Sequence, residues 1–370
     1  METPMDIGSN EDWLRLHLIA GLGRQGLFKL MRCYGTPAAA LAADPAEWRT
    51  VAGLRRDLSP ARQQVDNTRR LEATLEQLES LNVELVSYWD RHRYPAALRT
   101  IADPPALLYL RGQLNSDEAA LAVVGSRKAT GPGRRFTEQI ASELAAAGIC
   151  IVSGLARGID TAAHRGALAV GGRTIAVLGC GIDRVYPPEN DALFQQIAEQ
   201  GAVLSEYPPG TEPLAGHFPG RNRIISGLCR GVLVVEAATG SGSLLTVDFA
   251  LESGREVFAV PNQVRSATSN GVNQLLKDGA HVVTDSRDIL EVLWPHVRSG
   301  ESSPRTGEDL PELPEHQHKL LKLLSFNPIH RDQLLRTSGL TPMELSDSLL
   351  HLELSGHATQ LPGGHYIRAR

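Results

Sequence analysis

The sequence predicts an α/β fold, with an extended Rossmann-like parallel sheet core between a helical N-terminal domain and a winged-helix-like C-terminal domain. Between residues 121 and 260, apolar segments of strand length alternate with segments of helical periodicity. The first two of these strands each lead into glycine, serine and arginine, a composition suited to ligand-facing loops. Because parallel neighbours need crossover connections, the alternation indicates helices on both faces of the sheet.

The sheet domain is expected to span residues 81–297. Its short, apolar, β-branched segments are typical of buried parallel strands, and they lie at 121–124, 149–152, 174–178, 202–204, 231–235 and 256–260. Helices are expected between them, at 134–147, 160–169, 190–200, 221–227 and 243–253. Ahead of these elements, residues 82–88 have the pattern of a strand, and residues 94–112 that of an extended, proline-marked segment.

Residues 1–80 are expected to form a helical domain of the SAM or helix-hairpin-helix kind, with apolar residues at helical spacing on both sides of a glycine turn. Gly21, Gly23 and Gly26 match the GxGxxG pattern, but a dinucleotide-binding fingerprint must follow a strand, and the preceding residues have helical periodicity. Two interpretations stay open for this hairpin: contact with a nucleic-acid backbone, or packing alone.

The C-terminal part of the chain is predicted to be a linker, residues 298–314, and a winged-helix-like domain, residues 315–370. The linker is rich in Ser, Gly, Pro and acidic residues. Three short amphipathic helices, near 315–325, 331–337 and 342–354, precede a terminal hairpin. The third helix is acidic, which makes it a poor surface for a DNA groove and favours contact with a protein.

Composition limits the function further. The formal net charge of −5 and pI near 6.2 give no global attraction to a polyanion, so a local patch must hold one.

The four cysteines show no CxxC spacing, which argues against a disulfide framework or zinc site and fits a reducing cytosol. No apolar segment approaches the ~18 residues that span a bilayer, and no signal-peptide pattern begins the chain. We therefore expect a soluble, cytoplasmic protein without a membrane partner.

Four loops of the sheet domain are expected to meet in one crevice at the carboxyl ends of the strands, where such folds bind ligands. They share glycines, hydroxyl groups, amides and cations that can hold an anion. The candidate site residues are Gly125, Ser126, Arg127, Lys128, Ser153, Gly154, Arg157, Gly158, Arg221, Asn222, Arg223, Ser241, Gly242 and Ser243.

Each loop has an expected role. Gly125 lets the backbone turn sharply and approach a ligand, and Asp160 can cap the helix after the second loop. Arg221 and Arg223 open a helix and point in different directions, so one could meet a ligand while the other pairs internally. Ser241–Ser243 offer N–H and hydroxyl donors at another helix start. Turns and caps alone would explain one such loop, but four together favour anion binding, whether of a mononucleotide, a sugar phosphate or a nucleic-acid backbone.

No motif for catalysis or metal binding is present. The chain lacks GxxxxGK[ST], GxSxG and HExxH. His164 is expected to pack or cap a helix, and Glu206, Glu236 and Asp183 are expected to hold nearby arginines in place. We therefore predict a binding protein without cofactor or metal, and not an enzyme.

The successive motifs VVGSRKAT, SGLARGIDTAAHRGAL, VLGCGIDRVYPPEN, SEYPPGTEP, FPGRNRIISGL, SGSLLT and GREVFAVP resemble those of the DprA/Smf family of bacterial DNA-processing proteins. The resemblance covers about 85–290 in content and order. It implies a homodimeric single-stranded DNA-binding protein of natural transformation, which protects incoming strands and helps load the RecA recombinase without chemical turnover. By position, it also implies that the four loops cradle DNA phosphates.

Two positions depart from the family pattern. Asn262 stands where the family usually has glycine, and Gly220 stands where it often has a basic residue, which weakens the electrostatic grip slightly. Phe218 and Tyr207 are the expected candidates for base stacking, and both could equally be core residues. The alternative function is that of a nucleoside-monophosphate phosphoribohydrolase, whose PGGxGT-type loop is replaced here by TGSGSLLT.

Overall fold

The computed structural model describes residues 8–66, 69–264, 266, 268–297, 314–324 and 328–368. The chain divides into two compact units, residues 1–299 and residues 300–370. All but the last residue of the predicted linker, 298–314, lie outside the described residues.

The N-terminal helices are α1 (Asn10–His17), α2 (Gly23–Tyr34), α3 (Pro37–Ala42), α4 (Glu47–Thr50), α5 (Ser59–Asp66) and α6 (Arg70–Ser80). Ser9 begins α1 by accepting a hydrogen bond from the Asp12 N–H at 3.1 Å. Gly21 and Gly23 have φ values of 86° and 56° in the turn between α1 and α2. The glycine pattern is therefore a helix–turn–helix hairpin, as predicted. Apolar residues of these helices share one core with the sheet, from Trp13 to Val203.

One nine-stranded sheet organises the larger unit. Its strands are β1 (Val83–Ser87), β2 (Leu107–Gly112), β3 (Ala120–Val124), β4 (Cys150–Ser153), β5 (Thr174–Leu178), β6 (Ala202–Ser205), β7 (Gly231–Val234), β8 (Glu256–Ala259) and β9 (His281–Val282). Their order is β1-β2-β6-β5-β4-β3-β7-β8-β9. Seven strands, in the spatial order β6-β5-β4-β3-β7-β8-β9, are parallel to one another. The remaining two are antiparallel, since β1 pairs with β2 and β2 pairs with β6 in antiparallel register. The Rossmann-like class is confirmed, with an antiparallel edge added to the parallel core.

The predicted extended segment, residues 94–112, is not extended throughout. It contains α7 (Ala96–Arg99) before β2. Tyr94 is fully buried ahead of this short helix, with its hydroxyl donating to the Pro105 carbonyl at 2.8 Å. The segment therefore folds back on itself before it joins the sheet.

The helices that follow the parallel strands are α8 (Gly131–Ala146), α9 (Ile159–Ala169), α10 (Asp191–Gln200), α11 (His217–Gly227), α12 (Leu244–Glu252), α13 (Asn270–Lys277) and α14 (Ser286–Leu293). Most of them cover two apolar cores on the faces of the sheet, whereas α10 packs into the core shared with the N-terminal helices. From β3 the chain winds outward through β4, β5 and β6, then returns to place β7 on the other side of β3. This reversal is a topological switch point, and such points open a crevice at the carboxyl ends of the strands.

The smaller unit contains α15 (Glu315–Leu323), α16 (Arg331–Ser338), α17 (Pro342–Leu354) and a sheet of β10 (Ile329–His330), β11 (Ala358–Leu361) and β12 (His365–Arg368) in the order β10-β12-β11. Its own core includes Leu320, Leu334, Leu345 and Tyr366. Three helices and a β-ribbon form the predicted winged helix.

Candidate nucleic-acid interface

The first loop leaves β3 at the switch point and carries two exposed cations, Arg127 and Lys128. The Lys128 N–H donates to the Ser126 hydroxyl at 3.1 Å, which holds the loop in a tight turn. A Cβ on Gly125 would lie 2.6 Å from the Ile159 side chain and 2.9 Å from the Glu236 carbonyl oxygen. Glycine is thus required here for close packing between loops.

The second loop follows β4 and is fastened to the first. The Ile159 N–H donates to the Ser126 carbonyl at 3.2 Å. Gly158 has a φ of 80°, and a Cβ there would lie 2.2 Å from the same carbonyl oxygen. Ser153 is fully buried, and its hydroxyl donates to the Val123 carbonyl at 2.7 Å. This hydroxyl therefore joins two strands and does not face a ligand.

Asp160 does not cap α9, contrary to expectation. Its carboxylate accepts from the N–H groups of Gly154 and Ala156, at 3.1 and 3.3 Å, and so ties down the preceding loop. Burial raises the pKa of Asp160, and the nearby Arg221 guanidinium opposes that shift. The carboxylate therefore acts as a buried brace for the second loop.

The third loop proves to be part of a helix. Arg221 and Arg223 were expected to open it, but α11 begins at His217, so both lie in its second turn, away from the free N–H groups of the helix start. The Arg221 side chain is buried and donates from Nη1 to the carbonyls of Gly154, at 2.9 Å, and Val177. Burial lowers the pKa of Arg221 to about 10, and Asp160 opposes this shift. At neutral pH Arg221 thus remains a cation beneath the crevice.

Arg223 is also turned inward, and Glu206 accepts from its Nη2 at 2.7 and 2.9 Å. The expectation that one of the two arginines faces a ligand is therefore wrong for this structure, since both pair internally. Asn222, between them, is half-buried and donates from Nδ2 to the Gly242 carbonyl of the fourth loop at 3.1 Å.

The fourth loop follows β7 and precedes α12. The Ser241 and Ser243 hydroxyls lie 2.8 Å apart, and Gly242 between them is exposed. Ser243 occupies the N-cap position of the nine-residue α12 without a side-chain capping bond. Donors at a helix start are thus present, as predicted.

The expected roles of the three carboxylates hold for one of them. Glu206 binds an arginine, as predicted. Glu236 is buried and instead accepts from the Thr130 N–H at 3.0 Å and the Thr130 hydroxyl at 2.5 Å, which fixes the start of α8. Asp183 accepts from the Gly210 N–H at 2.9 Å and from Gln77. The last two carboxylates therefore stabilise loops rather than arginines.

His164 packs in the core, as expected. It is fully buried, its Nδ1 lies 2.7 Å from the Thr174 hydroxyl, and burial lowers its pKa to about 3. A neutral imidazole in this position has no path to a ligand in the crevice.

The exposed rim of the crevice is cationic and aromatic. The Arg127 guanidinium lies over the Phe218 ring, 5.3 Å from its centroid, and the ring of Tyr186 lies 5.8 Å from that of Phe218. Arg157 is exposed but paired with Glu189, with 3.0 Å between Nη2 and Oε2. Arg127 and Lys128 have no carboxylate partner in the part of the chain that the structure describes.

Tyr186 is a candidate that the sequence analysis does not identify, although the VYPPEN motif contains it. Its side chain is 38% exposed beside Phe218. The other expected stacking residue, Tyr207, is half-buried, and its ring stacks on the His217 ring with 4.2 Å between the ring centroids. Tyr186 and Phe218 are thus the aromatic pair that faces the crevice.

The described residues contain no group of three or more His, Cys, Asp or Glu side chains that could hold a metal ion. No helix among them has the length and apolarity needed to cross a bilayer.

The class of protein is defined by a mostly parallel sheet with a crevice at its switch point, together with a winged helix. A family model described as DNA recombination-mediator protein A matches residues 84–294, and a model of the DprA winged helix domain matches residues 304–364. The first match alone covers more than half of the chain.

Relatives and solved structures agree with these matches. Protein Smf of Escherichia coli is 41% identical over 307 residues, which is 81% of this chain and 81% of that protein. DNA processing protein DprA of Streptococcus pneumoniae is 48% identical over 198 residues, which is 53% of this chain and 70% of that protein. The X-ray structure of DprA from S. pneumoniae superposes with a TM-score of 0.68 at 39% identity and covers 78% of this chain and 99% of that one.

A structure of DNA processing protein A from Helicobacter pylori, described as having a unique single-stranded DNA binding mode, has a TM-score of 0.51 and 30% identity, and covers 58% of this chain and 96% of that one. The chain belongs to the DprA/Smf family. This is a family of DNA-binding and DNA-processing proteins rather than of catalytic enzymes, and the phosphoribohydrolase alternative falls with that membership.

Proposed function

We propose that the crevice binds single-stranded DNA through its phosphate backbone. The observation that carries this proposal is the pair of exposed cations, Arg127 and Lys128, on a rigid loop at the switch point. Charge-assisted hydrogen bonds from such cations, together with helix-start N–H groups, suit phosphates. Because phosphate contacts do not read bases, little sequence preference is expected.

We attribute a preference for single-stranded over double-stranded DNA to aromatic side chains. The rings of Tyr186 and Phe218 offer faces on which unpaired bases can stack, which a duplex cannot supply without unpairing. The geometry favours direct contact for Arg127, Lys128, Gly242 and the Ser243 hydroxyl, and supporting roles for Ser153, Gly154, Arg221 and Arg223.

The test is fluorescence anisotropy with a labelled oligo-dT strand and its duplex counterpart, each at low and moderate salt. We expect salt-sensitive binding that favours the single strand. Absence of binding at low salt would contradict the proposal.

From family membership we further propose a cytoplasmic homodimer of natural transformation, which protects incoming strands and helps load RecA. Two crevices on one dimer would hold the same strand with an avidity that one modest patch cannot reach. Sedimentation measurements test the dimer. RecA filament formation on DNA coated with single-strand-binding protein, with and without this chain, tests loading.

A further inference from the structure

Four charged side chains join the N-terminal helices to the crevice: Arg24, Asp103, Arg223 and Glu206. Arg24, the second residue of α2, donates from Nε to Asp103 Oδ1 at 2.5 Å and from Nη2 to Oδ2. Asp103 precedes β2 and lies between the glycine hairpin and α11. Two cations thus meet one carboxylate where the hairpin touches the sheet domain.

Arg223 occupies the centre of this charged network, with a side chain only 6% exposed. Its Nε donates to the Asp103 main-chain carbonyl at 2.8 Å and lies 3.4 Å from the Asp103 carboxylate. Its Nη1 donates to the Gly220 carbonyl at 2.8 Å, and its Nη2 binds Glu206. A planar guanidinium held by several acceptors on different sides can take only one orientation.

The same turn of α11 lines the crevice. Arg221 and Asn222 precede Arg223 directly and hold the second and fourth loops through Gly154 and Gly242. Arg223 therefore anchors the side of α11 that faces Asp103. The two residues before it, Arg221 and Asn222, hold the loops on the side of α11 that faces the crevice. A shift of Asp103 would be passed through Arg223 to both loops.

We propose that Arg24 and Asp103 are positioning residues for DNA binding, through which the N-terminal hairpin sets the placement of α11 and the geometry of the crevice. This inference rests on the proposed single-strand binding. It gives the hairpin a role that needs no contact between the hairpin and DNA.

The Asp103→Asn variant tests the inference by the sign of its effect. Removal of an acidic charge near a DNA site should strengthen binding if long-range electrostatics alone acts. A positioning role instead predicts that affinity for oligo-dT falls by about threefold to tenfold. The matched control is Glu84→Gln, which also removes an exposed acidic charge. It breaks the ion pair between Glu84 of β1 and Arg93 and should leave the affinity for oligo-dT unchanged.

The Arg24→Ala variant separates positioning from direct contact. A cation that touches a phosphate contributes about 0.7 to the slope of log K against log salt for a single strand, and its loss lowers that slope. A positioning cation lowers affinity while the slope stays the same. Arg24→Lys should recover part of the loss, and the double variant with Asp103→Asn should lose no more than either single variant.

Amide hydrogen exchange supplies a readout without DNA. Asp103→Asn should speed exchange in residues 206–227, whereas Glu84→Gln should not. Unchanged exchange together with unchanged or stronger DNA binding would overturn the inference and leave the proposed function intact. Absence of DNA binding by the unmodified chain would instead overturn the proposed function, while the exchange result would still report on the network.

Discussion

At the scale of single residues, the buried Arg221 side chain decides how the crevice can be tested. From the sequence, Arg221→Ala should weaken DNA binding and leave the fold intact. The structure changes that expectation, because the guanidinium is buried and braces Gly154 and Val177. A Cβ on Gly154 would lie 2.4 Å from the Arg221 Nη2 atom, so the two residues fit only as a pair.

We predict that Arg221→Ala lowers the free energy of unfolding by about 1–3 kcal/mol, since it leaves the buried carbonyls of Gly154 and Val177 without their donor. Urea denaturation measures the change. Arg127→Ala, which removes an exposed cation, is the matched control and should unfold at nearly the same urea concentration. Equal stability of the Arg221→Ala variant and the unmodified chain would refute the buried brace.

Gly220, at a position where the family resemblance predicts a basic residue, allows a test by gain of function. A Cβ at this position would meet only the Tyr207 hydroxyl, at 3.8 Å, so a longer side chain fits. We predict that Gly220→Lys tightens oligo-dT binding and steepens its salt dependence by about 0.7 in the log–log slope. Gly220→Gln controls for the helix stability that any side chain adds; equal gains from the two variants would contradict a charge effect.

At the scale of elements, sequence reasoning placed the buried strands within about one residue and failed at α11. Strands such as β3 are continuous apolar segments that end in polar loops, so their limits are visible in the chain. The start of α11 contains Pro219 and Gly220, a composition that predicts a loop. Pro219 lies in the first turn, where its missing N–H has no partner to lose, so the helix begins four residues earlier than predicted.

The pairing partners of β1 and β2 and the contacts of the two arginines could not be predicted. They depend on segments far apart in the chain, as in the contact of Arg223 with Asp103, and no local pattern encodes such contacts. By contrast, the convergence of the four loops followed from the parallel topology alone, because the loops leave the same edge of the sheet.

The third helix of the winged helix, α17, carries no Lys or Arg. It exposes Met343, Leu350 and Leu354 along one side, together with Asp347. Such a surface suits a protein contact better than a DNA groove. We predict that truncation at residue 300 leaves oligo-dT affinity within about twofold of the full chain. Anisotropy measures this, and a tenfold loss would show that the winged helix contributes to DNA binding.

At the scale of the whole molecule, half-buried His17 and fully buried His164 link stability to pH. Burial lowers the pKa of His17 to about 4 and that of His164 to about 3. The ordinary pKa of histidine is 6.5, so below that pH the unfolded chain binds protons that these two side chains do not bind in the folded chain. The contribution of the two neutral histidines to the free energy of unfolding is complete above pH 6.5 and is lost as the pH falls towards 4. The raised pKa of Asp160 changes the free energy of unfolding in the opposite direction as the pH falls.

We therefore predict that the free energy of unfolding falls between pH 6.5 and 4, by up to about 1.4 kcal/mol per pH unit for each histidine. Urea denaturation at several pH values measures the slope. The double variant His17→Gln, His164→Gln should show a shallower slope, whatever its absolute stability. An unchanged slope would assign the acid sensitivity to other groups.

The salt dependence of oligo-dT binding by the Arg127→Ala, Lys128→Ala double variant tests the central claim most directly. If both cations bind phosphates in the crevice, the slope of log K against log salt becomes shallower by about 1.4. The matched control is Arg230→Ala, which removes an exposed cation before β7, at the opposite edge of the sheet, and should leave the slope unchanged. An unchanged slope in the double variant would show that DNA is bound elsewhere on the molecule.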